Sequence, residues 1–143
     1  MTESFRLLVS SRLRLRPLEL QDVPALHSHW TDPAVRRFLW DDEVIPETQV
    51  SDIIEESERL FRQHGYGLWA LCNTDGLIGC GGYWTFHDPP QLELILSLSP
   101  AYWHQGLASE AATLLIDYAF GELGFPEVRA STDAPNTHSL RLL

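Results

Sequence analysis

The stretch SPAYWHQGLASEAA, residues 99–112, carries most of the information about the fold. Ser99-Pro100 stops the apolar run QLELILSL at 91–98, and helix formers begin at Ala108 and continue to Phe120. In the first turn of such a helix, the backbone N–H groups of Gly106, Leu107, Ala108 and Ser109 have no intrahelical acceptor. Together with the positive end of the helix dipole they make an anion site that needs no basic side chain. Gly106 lets a phosphate approach the backbone, and Ala108 keeps the first turn free of bulk. On spacing alone, a plain strand-to-helix turn with glycine in the bend accounts for the stretch equally well.

Composition narrows the classes. The chain has 143 residues, 44% apolar and 21% charged, ordinary for one globular domain with a real core. The formal net charge of −10 argues against nucleic acid as a partner. All ten basic residues are arginine, so a lysine nucleophile, a Schiff base and a Walker-type lysine are excluded. No apolar window reaches the length of a membrane span, and no secretory pattern opens the chain; no membrane partner and a cytoplasmic location are expected. Acids crowd residues 41–58 (Asp41, Asp42, Glu43, Glu47, Asp52, Glu55, Glu56 and Glu58) with no base among them. Two readings stand: a solvated helix face, or a negative rim that concentrates a cationic amine.

Along the chain, RLRLRPL at 12–18 alternates as a strand with Leu13 and Leu15 inward. Residues 19–30 read as a helix, with Asp22 as cap if Pro24 is to sit in the first turn. Residues 31–39 form a second helix capped by Thr31 or Asp32. Residues 47–64 form an amphipathic helix ending at Gly65. YGLWALC and LIGCGGYWTF, at 66–72 and 77–86, make a hairpin whose glycines suggest a bulge or close backbone approach. With a loop at 73–76, Cys72 faces Leu77, Cys80 faces Trp69, and the two thiols point to opposite faces of the sheet, so no disulfide is expected. PEVRAST at 126–132 is a short strand, and Asn136 caps a last helix. The order is a mixed sheet flanked by helices.

The opening stretch resembles the acetyl-CoA loop of the GNAT acetyltransferase superfamily, in its Rim-type branch named for ribosomal-protein N-terminal acetyltransferases. That branch shows Tyr-Trp-Gly-x-Gly-x-Ala-x-Glu-Ala here. Tyr102, Trp103, Gly106, Ala108, Glu110 and Ala111 match; His104 stands for the first glycine, and Gln105 for a frequent Lys or Arg. SRLRLRPLELQDVPAL resembles the opening strand and helix of the branch. YGLWALCNTDGLIGCGGYW resembles its central hairpin, and TDAPNTHSLRLL its later strand with the Asn-x-x-Ser helix.

The resemblance implies an α/β (α+β) fold, a mostly antiparallel sheet flanked by helices, and transfer of acetyl from acetyl-CoA to a primary amine by direct attack. The acceptor is a peptide N-terminus or a small molecule. It implies that the amides of His104, Gln105, Gly106, Leu107, Ala108 and Ser109 hold the CoA pyrophosphate. The edge at Leu96, Ser97 and Leu98 would pair with pantetheine where strand 91–98 splays from strand 126–132. Glu93 matches a glutamate often found on this strand and is the candidate base; alternation alone allows it to be a surface residue instead. Asn136 would orient pantetheine and Ser139 would protonate the departing thiolate; without the family they read as a helix cap and an exposed helix residue.

Trp40, Trp84 and His87 are expected on the substrate side. His27 and His29 are two apart on a helix and share no face, so no metal site is expected from them. The family domain continues past the Asn-x-x-Ser helix, so the reading includes one domain over residues 1–143 that lacks its last strands. The alternative function is a non-catalytic module that binds acyl-CoA or forms a homodimer.

Overall fold

The computed structural model describes residues 6–86 and 91–130. Five strands form one sheet: β1 (Leu8–Val9), β2 (Arg14–Pro17), β3 (Leu68–Asn73), β4 (Gly76–Phe86) and β5 (Gln91–Leu98). They lie in chain order, each antiparallel to the next. Four helices are described: α1 (Val23–Thr31), α2 (Pro33–Leu39), α3 (Glu47–His64) and α4 (Leu107–Gly121).

Each face of the sheet carries its own core. Leu13, Leu15, Trp69, Leu71, Ile78, Leu94 and Leu98 pack against Leu107, Ala111, Leu115 and Tyr118 of α4. Leu68, Ala70 and Cys80 pack on the other face against Leu26 and Trp30 of α1 and Val50 and Ile54 of α3. Burying each such leucine or isoleucine is worth about 2 kcal/mol, so both helical layers are held chiefly by apolar area.

The helix signals behave as their chemistry requires. Asp32 caps α2 by accepting the Ala34 N–H at 2.9 Å. Gly65 ends α3 in the left-handed region at φ 81°. Asp22 is the N-cap residue of α1 as expected, but its side chain makes no capping bond to that helix. Its carboxylate accepts both Arg16 Nη1 and Nη2 at 2.8 Å, and the Glu19 N–H at 2.8 Å. A 3-10 turn at Leu20–Asp22 therefore precedes α1, and Pro24 sits in its first turn.

The hairpin departs from its expected register. Cys72 does pair with Leu77, but Cys80 pairs with Ala70 and Trp69 with Gly81. A bulge at Leu71/Cys72 leaves Ile78 as the extra residue, which reverses the facing of everything beyond it. Both thiols consequently pack on the α1/α3 face, and both are free. Burial raises the pKa of each. The glycines of β4 mark close approach. A Cβ on Gly79 would stand 2.2 Å from the Ser97 carbonyl oxygen, and one on Gly82 2.1 Å from that of Gly67.

The expected strand 126–132 is represented, among the described residues, by one parallel bridge between Leu94 and Ala130. The helix expected from Asn136 lies outside the described residues.

Candidate functional site

The loop between β5 and α4 is built by its own backbone. Ser99 accepts the Tyr102 N–H at 2.9 Å and opens a 3-10 turn at Pro100–Tyr102. The Trp103 indole N–H then reaches back to the Leu98 carbonyl at 2.8 Å. His104 and Gly106 both adopt left-handed backbone, φ 64° and 79°, and Gly106 is the N-cap of α4. The first helical bond of α4 runs from the Glu110 N–H to the Gly106 carbonyl at 3.1 Å. The N–H groups of Gly106, Leu107, Ala108 and Ser109 thus find no acceptor among the described residues. Leu107 turns its side chain into the core, while His104, Gln105, Gly106 and Ser109 are exposed. The result is a row of donors at a helix N-terminus, with no side chain projecting from Gly106.

Arg12 braces this loop from behind. Its Nη1 donates to the Gln105 carbonyl at 2.8 Å, and its Nε and Nη2 donate to Glu110 Oε1 at 2.8 Å. Its backbone N–H meets Glu110 Oε2 at 3.0 Å, and the Ser10 hydroxyl donates to the same oxygen. The Ser10 bond first, and then Arg12, hold the Glu110 carboxyl below its ordinary pKa.

The register of β5 decides which peptide groups face outward. Leu94 donates its N–H to Arg129, away from β4, and Ser99 donates to Ile78 of β4. Pairing with β4 is continuous from Leu98 to Gln91, so the facing alternates without interruption. Leu96 and Leu98 therefore aim N–H and C=O at the outer edge, and the Leu98 carbonyl is taken by Trp103. Ser97 turns its peptide groups toward β4 and its hydroxyl toward α1. This edge offers Leu96 N–H, Leu96 C=O and Leu98 N–H as a short ladder on the strand that precedes the loop to α4.

The odd-numbered residues of β5 face α1 and α3. Glu93 is 5% exposed and lies directly opposite Trp84. Cross-strand partners share a face, so carboxylate and indole project together. Trp84 and Trp40 pack on the same cluster, and Trp40 meets Trp30 edge-on at 5.1 Å. The indole N–H groups of Trp30 and Trp40 are buried without a partner among the described residues. Asp41, Asp42 and Glu43 are exposed in the turn that follows, with Asp42 paired to Arg36 at 3.0 Å.

Composition and motif reasoning missed Arg12 and His29. Arg12 lies in the turn between β1 and β2, 93 residues before the loop carbonyl it holds, and no local pattern links them. His29 was readable: Leu26, His29 and Trp30 follow i, i+3, i+4 spacing, which places the imidazole on the buried stripe of α1. His87, Asn136 and Ser139 lie outside the described residues. Among the described residues no three His, Cys, Asp or Glu side chains converge as metal ligands would, and no helix is long and apolar enough to cross a membrane.

A helix N-terminus whose first N–H groups are unpaired among the described residues, following a strand with outward peptide groups, suits a phosphate-bearing ligand with an amide-containing arm. Similarity to known proteins agrees. Residues 12–143 match the acetyltransferase (GNAT) domain family. The chain is 32% identical to an uncharacterized N-acetyltransferase of Bacillus licheniformis, p20, over 95% of this chain and 78% of that protein. It is 27% identical to the spermidine N(1)-acetyltransferase of Escherichia coli K12, over 91% of this chain and 69% of that protein. A ribosomal L7/L12 alpha-N-protein acetyltransferase solved with coenzyme A shares the fold, with a TM-score of 0.73 at 19% identity over 95% of this chain and 80% of that one. The family match runs to residue 143 and lends no support to the expectation of a shortened fold. The sheet order, the loop geometry and these matches agree: the chain belongs to the GNAT acetyltransferase family.

Proposed function

We propose that this chain acetylates a cationic primary amine, with the donor bound along the β5 edge and at the N-terminus of α4. The observation that carries the reading is the row of N–H groups from Gly106 to Ser109, unpaired among the described residues, on the helix that follows the outward-facing peptide groups of Leu96 and Leu98 in the chain. Acetyl-CoA has matching chemistry: a pyrophosphate for the donor row and two amides in the pantetheine arm for the ladder. His104 and Gln105 flank the phosphates through their backbone, and Asn136 orients pantetheine. The bound donor supplies an activated thioester.

The residues of the chain supply the rest. Outward N–H groups of β5 polarise the thioester carbonyl. Glu93 takes the proton that an ammonium must lose before its nitrogen can attack, and Ser139 returns a proton to the thiolate. Trp40, Trp84 and His87 wall the acceptor side. The exposed acids of the 41–43 turn favour a positively charged acceptor. A polyamine is the preferred class over a peptide N-terminus, in keeping with the spermidine enzyme among the relatives.

The test mixes acetyl-CoA with polyamines and with peptides bearing free N-termini, follows release of CoA thiol, and records thermal stabilisation by CoA in parallel. Turnover with polyamines and stabilisation by CoA are expected, and Gly106→Glu abolishes both by placing charge and bulk at the phosphate site. Turnover with peptides alone overturns the acceptor class. Stabilisation without turnover overturns the enzymatic reading in favour of an acyl-CoA-binding module.

A further inference from the structure

His29 takes no part in the roles above, yet it is 4% exposed at the junction of α1 and β5. Both of its ring nitrogens are engaged: Nδ1 lies 2.8 Å from Ser99 Oγ and Nε2 2.9 Å from Ser97 Oγ. Burial pushes its pKa down to about 4 although Asp32 pulls the other way, so the ring is neutral at ordinary pH. A neutral imidazole has one N–H, so one serine accepts from it and the other donates to it. These two serines flank Leu98. The Leu98 carbonyl is held from the loop side by Trp103, and the Ser99 N–H is held by Ile78 of β4. The peptide run 97–99 is therefore fastened from α1, from β4 and from the anion loop at once.

We infer that His29 is a positioning residue for the donor edge: by holding Ser97 and Ser99 from α1, it sets the direction in which the Leu96 and Leu98 peptide groups meet the pantetheine arm. This rests on the reading of the β5 edge as the CoA site. A buried imidazole must satisfy both ring nitrogens, and here both partners are serines on either side of Leu98. Here the two bonds span the residue whose N–H is presented, and a rotation of that strand end would carry the ladder out of line with the donor row of α4.

The test separates the arm from the nucleotide. Calorimetric titrations with CoA and with adenosine 3′,5′-bisphosphate, which lacks the pantetheine arm, are run on the full chain and on His29→Phe, His29→Gln and Ser99→Ala. His29→Phe is expected to weaken CoA about tenfold, as loss of one well-placed contact would, while the bisphosphate changes less than about twofold. Gln, which can still reach one serine, recovers part of the loss. Equal weakening of both ligands, or no weakening of CoA, overturns the inference. If His29→Phe does not fold, the same ratio is read from His29→Gln and Ser99→Ala. A wild-type chain that binds neither ligand overturns the CoA reading, and this inference with it. A wild-type chain that binds CoA, with variants showing no selective loss, overturns the role of His29 alone.

Discussion

Arg12 and Glu110 lie 98 residues apart and meet through three of the arginine's donors, Nε, Nη2 and the backbone N–H. The remaining Arg12 terminus holds the Gln105 carbonyl, so the pair ties the β1–β2 turn to both ends of the anion loop. The loop lacks a basic residue of its own, and its donor row is useful only if its backbone stays in place.

Glu110→Gln should therefore separate stability from binding. Partly exposed ion pairs contribute about 0–1 kcal/mol, so the melting temperature should fall by no more than about 3 °C. CoA affinity should fall about tenfold, measured by titration, because the loop loses its brace. In the wild type the depressed Glu110 pKa means that the brace is intact at neutral pH. It is lost only as pH falls through a value below the ordinary carboxylate range.

Glu93→Gln keeps the shape of the buried side chain and removes its basicity. Turnover with a polyamine should fall by about 10²- to 10⁴-fold, the usual share of a general base. CoA binding should stay within about twofold of the wild type, because the peptide ladder and the helix N-terminus do not involve this side chain. A comparable loss of CoA affinity would assign Glu93 to packing of β5.

Much of this arrangement is legible in the sequence, and the failures have physical causes. The helix ends at Asp32 and Gly65 follow from local chemistry: a short carboxylate for the cap and a residue without Cβ for the left-handed turn. The alternation in residues 91–98 places Glu93, Ile95 and Ser97 on one face. It does not tell whether that face is covered, because helices cover both sides of the sheet. The bulge at Ile78 is hidden because GLIGCGG offers glycines at several positions, any of which could relieve a register shift. Asp22 reads as a cap until Arg16, brought beside it by the fold, competes for its carboxylate. Arg12 depends on a contact between the start of the chain and α4, which no window of sequence contains.

His104 stands where the family favours glycine, and its φ of 64° explains the preference. Left-handed backbone costs a residue with Cβ roughly 1 kcal/mol, less for histidine than for a β-branched residue. His104→Gly should be at least as stable as the wild type and keep its CoA affinity. His104→Val should be less stable than His104→Gly by about 2 kcal/mol, with weaker CoA binding. Urea melts of the three proteins check the order, and a valine variant as stable as the glycine variant would mean that the loop does not require this backbone.

The neutral state of His29 also makes the fold sensitive to acid. Its folded pKa of about 4 lies below the ordinary 6.5, so between those values the unfolded chain binds a proton that the folded chain does not. Stability must then fall as the pH drops through that window, at about 1.4 kcal/mol per pH unit, and the loss is complete only below the folded value. Urea melts at about pH 7 and about pH 5 should show a loss of roughly 2 kcal/mol from this residue. His29→Gln does not titrate there, so the difference between the two proteins isolates the imidazole from the carboxylates that titrate lower. If both proteins lost stability in parallel, His29 would have to carry its proton in the folded state. A charged ring can only donate, so both serines would then have to accept from it.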